Sequence, residues 1–320
     1  MTEVNDAFRG ARVRAVQHMA ACERAGVRWS ETSITEIVTS QAARAVTVVP
    51  FTQRAEVLSG SDWVWWWVDG AGAYGMLVQA KRVTVTAGMW SFDFGYTSKG
   101  AARTQREVLR SSAAALGLLP VYALHLGTAS YRGWERCSNA HRGRRCLQCV
   151  RRSVSLMPAL LAQSVVVNDA VSTYERSVAL EDLLNPPESA PLIIPVVAEQ
   201  LAPELADFLT TRQDGTRAVT RAMIDRVLRA RAGAFSAAPA VADRSRMGAH
   251  DRLGRLFGDL PADSGHWGLN YFEHTLNPLR AAPPGYVLEI SAGDFMEDRL
   301  VSDMPENVAG VVVVQVPRSG

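Results

Sequence analysis

Apolar positions along the first fifty residues recur at helical spacing and then at strand spacing. Within 6–25, Val13, Val16, Met19, Ala20 and Cys22 are available for one face of a helix. Ser30 to Ser33 supply capping side chains for a second helix over about 33–45, with Ile34, Ile37, Val38 and Gln41 at helical spacing. The pattern then changes. The stretch 46–51 is β-branched and apolar, 63–68 is aromatic and apolar on both faces, and 74–83 follows the turn Asp69-Gly70-Ala71-Gly72. A helix over about 99–116 closing at Gly117 and a strand over 121–126 complete the order helix, three strands, helix, strand.

Beyond this the pattern predicts helices near 154–167, 198–211, 216–231 and 248–258, and strands at 192–197, 286–290 and 311–316. The Ala-, Pro- and Ser-rich stretch 232–247 reads as a loop or linker, and there is no internal repeat. The chain divides into an N-terminal helix (1–29), a core (30–130), a basic Cys/His insertion (131–152) and a C-terminal part (153–320). The late strands either extend the first sheet or form a second small domain. The expected fold class is α/β, a mixed sheet flanked by helices with C-terminal α/β elaboration.

Composition narrows this picture in two places. With 320 residues, 48% of them hydrophobic, the chain can bury a substantial core, while a net charge of +2 does not by itself mark a nucleic-acid binder. Of 34 lysines and arginines only Lys81 and Lys99 are lysines, so a lysine inside an apolar strand calls for a reason specific to a compact ammonium. The N-terminus has no basic region followed by an apolar one, and apolar runs such as 311–314 are too short to cross a bilayer. A cytoplasmic protein with no membrane partner is expected, its four cysteines thiols or metal ligands rather than disulfides.

The chemistry concentrates on the strand Gly75-Met76-Leu77-Val78-Gln79-Ala80-Lys81-Arg82. Side chains alternate, so Leu77, Gln79 and Lys81 share a face, and two polar groups there are costly without partners. Asp62 lies 17 residues before Gln79, at the mouth of the preceding strand. A hairpin through the glycine turn, centred near 71, sets position 62 opposite about position 80. An Asp carboxylate, the Gln79 side-chain oxygen and the Ala80 backbone carbonyl are hard oxygen donors suited to Mg²⁺ or Mn²⁺. Lys81 could orient a metal-activated water or stabilise charge developing on a phosphate.

The ordered elements, with Gly60-Ser61-Asp62-Trp63 before one strand and Val78-Gln79-Ala80-Lys81-Arg82 on the next, resemble the PD-(D/E)xK nuclease superfamily. Glutamine in place of the acidic residue resembles its Mrr-like restriction-endonuclease branch. The resemblance covers about 30–127. It implies metal-dependent hydrolysis of phosphodiester bonds of nucleic acid, DNA favoured over RNA, in restriction or phage defence. It further implies a Glu from the first core helix, with Glu36 the first candidate and Glu31 the second, and a Gln from the following helix, matched by Gln105. Arg82 and Gln105 become nucleic-acid contacts, and a homodimer is compatible with the reading. The alternative is a nuclease-fold module, catalytically weak or inactive, that binds nucleic acid or a partner protein, since a neutral glutamine holds metal less strongly than a carboxylate.

Each residue also has a plainer reading. Gln79 and Lys81 could snorkel from an edge strand, Asp62 could cap a turn, and Glu36 could be a solvated helix charge. The tryptophans Trp63, Trp65, Trp66 and Trp67 suit core packing better than base stacking, and His125 reads as a satisfied core histidine. In the insertion, Cys137, His141, Cys146 and Cys149 have spacings that tetrahedral zinc accepts, with a structural Zn²⁺ set against buried free thiols. Seven arginines there, Arg142, Arg144 and Arg145 among them, face a single acid, Glu135, which makes the insertion a candidate phosphate-contacting patch or a solvated basic loop.

Overall fold

The computed structural model of the chain describes residues 3–51, 62–86, 89–97, 102–127, 150–164, 170–185, 192–193, 198–230, 254–258, 260–261 and 269–316. Two helices open it, α1 (Glu3–Arg24) and α2 (Glu31–Ala42). The Ser30 hydroxyl accepts from Ser33 N at 3.0 Å and the Ser33 hydroxyl accepts from Ser30 N at 3.2 Å, a reciprocal cap that fixes where α2 begins. Strands β1 (Val46–Pro50), β2 (Asp62–Asp69) and β3 (Gly72–Arg82) follow. A small hairpin of β4 (Thr84–Thr86) and β5 (Met89–Ser91) stands off the main sheet. Then come α3 (Gln105–Leu116), capped by Thr104 and Glu107 and closed by left-handed Gly117 at φ 63°, and β6 (Leu119–His125).

The second half supplies β7 (Val154–Pro158), a 3₁₀ turn (Ala159–Ser164), α4 (Ala170–Glu175), β8 (Val178–Ala179) and a 3₁₀ turn (Leu180–Asp182). It continues with α5 (Pro203–Thr210), α6 (Gly215–Ala230), α7 (Tyr271–Leu276), β9 (Leu279–Arg280), α8 (Gly285–Ala292), α9 (Glu297–Asp303) and β10 (Val308–Gln315).

The strand order is β1-β10-β2-β3-β6-β7-β8, with β9 pairing β3. The result is a mixed, open α/β sheet with helices packed on it. The last strand therefore enters the first sheet, antiparallel to β1 and parallel to β2, so β1 and β2 are not neighbours. Gly310 makes the insertion possible: a Cβ there would meet the Trp63 ring and the Val49 carbonyl oxygen, each at 2.6 Å. Strands β2 and β3 form the expected hairpin, its turn held by Asp69 Oδ1, which accepts from Ala71 N at 2.7 Å and Gly72 N at 2.9 Å. Strand β3 continues through α3 into β6, its parallel neighbour.

Three expectations change. The run at 286–290 is helical in α8, not a strand: a short apolar run suits either state, and here Pro284 at the N-cap and left-handed Gly293 at the end select helix. The segment expected to be helical from 154 starts as β7, where β-branched Val154 and apolar Leu156 lie on one face and the strand pairs with β6. Leu192 and Ile193 are not in a strand, and 194–197 lie outside the described residues. So do 248–253 of an expected helix and the linker 232–247, while Arg255 makes an isolated bridge to Arg280.

The two sheet faces do different work. Trp65 and Trp67 point to the α1 side, where the Phe8 ring lies 6.1 Å and 5.7 Å from them, centre to centre. Trp66 points the other way and donates from Nε1 to the Tyr286 hydroxyl at 2.7 Å. Trp65, Trp66 and Trp67 are buried and Trp63 half-buried, so these tryptophans are core. Asp62, Val64 and Trp66 share their face with Leu77, Gln79 and Lys81, and α3 reaches this face.

Candidate functional site

Hairpin register builds the centre of the site. Asp62 pairs with Gln79, one residue from the count made on sequence alone. Both side chains leave the same face, and Gln79 Nε2 donates to Asp62 Oδ1 at 2.8 Å. Lys81, two residues on along β3, lies on that face and donates from Nζ to Gln105 Oε1 at 2.6 Å. The helix following the motif strand thus does bring Gln105 to the lysine. Asp62, Gln79 and Lys81 are 1%, 4% and 5% exposed, so they are not snorkelling from an edge.

Asn307, immediately before β10, is a member of the site that no motif pointed to. Its Nδ2 donates to Asp62 Oδ2 at 2.5 Å, its Oδ1 accepts from the Ser112 hydroxyl at 3.0 Å, and its backbone oxygen accepts from Asp62 N at 3.0 Å. The one available signal was positional. Like Asp62, Asn307 is a short polar residue at the mouth of an apolar strand.

Glu31, not Glu36, reaches the motif strand. Its Oε1 accepts from Arg82 N at 3.0 Å, closing a main-chain donor that lies beyond the first residue of β2. Glu36 is exposed on α2. Five residues of helix turn it about 140° away from Glu31. Arg82 itself is half-buried.

Electrostatics follow from the burial. Desolvation pushes the Asp62 carboxyl from 3.8 up to about 7, against the hydrogen bonds from Gln79 and Asn307 and the charge of Lys81. Desolvation also lowers Lys81 below the ordinary lysine value, opposed by the charges of Glu31, Asp93 and Asp62. Tyr122, paired with Gln79 across β6, has its phenol pushed upward by burial, and Phe94 lies 4.6 Å from its ring. Two buried polar atoms here lack partners: Gln79 Oε1 and the Tyr122 hydroxyl. An orphan amide oxygen beside an under-compensated carboxylate is a donor set that a hard divalent cation fits. Backbone alternation turns the Ala80 carbonyl toward the same side as the Arg82 N–H, past the first residue of β2. Among the described residues no group of three or more His, Cys, Asp or Glu side chains is placed to hold a metal ion, and the side-chain partners of Asp62 are the amides of Gln79 and Asn307.

The proposed zinc set Cys137, His141, Cys146 and Cys149 and the arginines Arg142, Arg144 and Arg145 lie outside the described residues. His125 is on the opposite face from Gln79 and Lys81 and is core, but not satisfied: neither ring nitrogen has a partner, and burial takes it from 6.5 down to about 3.

The fold and site define an α/β protein with a carboxylate–amide–lysine cluster at one end of a mixed sheet. Residues 4–316 match a family of unknown function, DUF6615, and the chain belongs to that family. The match runs from α1 to the end of β10, the span needed to complete the sheet. No curated protein and no solved structure gives a significant match. Among the described residues no helix is long and apolar enough to cross a membrane.

Proposed function

We propose that this chain is a metal-dependent nuclease that hydrolyses phosphodiester bonds of nucleic acid, with a role in restriction or phage defence. The observation that carries the reading is the pairing of Asp62 with Gln79 on the face that also holds Lys81. This is the juxtaposition that the resemblance to Gln-x-Lys nucleases requires. Asp62, the Gln79 Oε1 oxygen and the Ala80 carbonyl would hold Mg²⁺ or Mn²⁺, with Glu31, which bonds the motif strand at Arg82 N and whose charge acts on Lys81, as the further carboxylate in place of Glu36. A bound divalent ion polarises a phosphoryl oxygen and lowers the pKa of a water it binds.

The remaining work falls to the chain. Gln105 fixes the Lys81 amine with a neutral acceptor, so the lysine is held in place without having its charge cancelled. From there Lys81 orients the attacking water or meets charge growing on the phosphate. Arg82 and the arginines of the insertion would contact the nucleic-acid backbone, DNA rather than RNA.

One observation favours the alternative of an inactive, binding module. The cluster is almost fully buried, and both Asp62 oxygens already accept hydrogen bonds. Cleavage separates the readings. Supercoiled plasmid, single-stranded DNA and RNA are each offered with Mg²⁺ or Mn²⁺ to the native chain and to Lys81→Ala. Metal-dependent cutting that falls on the order of 100-fold or more in Lys81→Ala, the range for losing a positioned proton-transfer or charge-stabilising group, supports the nuclease. Equal cutting by both chains removes Lys81 from the mechanism, and binding without cutting favours the alternative.

A further inference from the structure

Asn307 contacts Asp62 twice, through its side chain and through its main chain, across 245 residues of sequence. A carboxylate accepts hydrogen bonds and does not donate them, so the Asn307 amide must turn Nδ2 toward Asp62. Its other end, Oδ1, then accepts a hydrogen bond from the Ser112 hydroxyl, and α3 thereby anchors the amide in that orientation. Gln79 grips Oδ1 of Asp62 and Asn307 grips Oδ2. With one donor alone the carboxylate could turn about its Cβ–Cγ bond; a donor on each oxygen holds its plane. Gln79 uses its nitrogen in this grip, which leaves its oxygen unpartnered beside the carboxylate.

We infer that Asn307 is a positioning residue, holding Asp62 so that the carboxylate and the Gln79 Oε1 oxygen face one divalent cation together, with Ser112 as its anchor. This rests on the proposed metal role of Asp62 and Gln79. It also assigns a task to the C-terminal segment: β10 completes the sheet, and the residue at its mouth completes the site. Outer partners of metal ligands commonly carry this weight, and their loss costs about 10–100-fold in metal affinity.

The test compares the native chain, Asn307→Ala and Ser112→Ala. Mn²⁺ affinity is measured by calorimetry, cleavage is measured against Mn²⁺ concentration, and crystal structures of the variants are determined without added metal. The expected result is Mn²⁺ affinity about 10–100-fold weaker in Asn307→Ala and weaker by a smaller factor in Ser112→Ala. Cleavage should recover at saturating Mn²⁺, and the Asp62 carboxylate should be turned away from Gln79. A merely structural asparagine would leave the affinity of the folded chain unchanged, so equal affinities in all three chains overturn the inference. If the native chain binds no Mn²⁺, the metal reading fails and the structures decide alone: a turned Asp62 carboxylate supports the role of Asn307, and an unmoved one overturns it. Should Asn307→Ala not fold, Ser112→Ala carries the same test, since alanine is the better helix former in α3.

Discussion

Asp62 is held between opposing forces: burial favours its neutral form, while two amide donors and a lysine favour its charge. Burial wins, and the consequence for stability has a definite sign. A carboxyl whose folded-state pKa lies above its unfolded value binds more protons when folded, so its stabilising contribution is complete below about 3.8 and is lost as pH rises to about 7. At 1.36 kcal/mol per unit the loss is on the order of 4 kcal/mol. Asp62→Asn removes the titration, and the orphan Gln79 oxygen gives the new amide an acceptor after a flip of the Gln79 side chain. Chemical denaturation from pH 4 to 8 should show the variant gaining on the native chain as pH rises. A constant difference across that range would contradict the burial argument.

At the scale of elements, the β2–β3 hairpin was the most legible part of the site. Its turn residues and alternation fixed which residues meet, and the count missed the true partner of Asp62 by one. Gln105 was within reach because the resemblance calls for a glutamine from the helix after the motif strand, and Gln105 is the first residue of α3. The choice between Glu31 and Glu36 was not readable, because it depends on how α2 is rotated against the sheet, a tertiary fact without a local signal. Helix α8 was not readable for a related reason: a run as short as 286–290, four apolar residues and Glu289, fits either period, and only the flanking Pro284 and Gly293 distinguish them. Strand β6 carries its own test. It presents Tyr122 to the site face and His125 to the other, where His125 joins Trp63, Trp65, Ala80 and Leu156 around a cavity of about 20 Å³. His125 is depressed from 6.5 to about 3, so its contribution to stability is present above 6.5 and is lost as pH falls toward 3. At pH 5 that loss is about 2 kcal/mol. His125→Leu should therefore be neutral or stabilising at pH 7, more stable than native at pH 5, and unchanged in any cleavage activity. A variant destabilised equally at both pH values would show that the imidazole has a partner.

For the whole molecule, the surprise lies in β10. The expected core of about 30–127 ran three strands in succession, whereas the structure places the last strand between the first and the second. Sequence could suggest that the Val-rich run near 311 was a strand but not which neighbours it would take, since no turn or short connection constrains its pairing. Val311, Val312, Val313 and Val314 are fully buried there. A chain ending at residue 304 should consequently lose cooperative unfolding and native circular dichroism, and an isolated 30–130 fragment should not fold. A well-folded, cooperatively melting fragment would mean that β10 is dispensable. The family match over residues 4–316 agrees with a sheet that needs both ends of the chain.

Cutting of supercoiled plasmid with Mn²⁺ at pH 8 by the native chain and by Asp62→Asn, with thermal melting of both, tests the central claim most directly. The account predicts Mn²⁺-dependent nicking or linearisation by the native chain, and little or none by a variant that melts no lower than native. Undiminished cutting by Asp62→Asn would contradict it, because Asp62 would then be a buried structural carboxyl and the chemistry would lie elsewhere.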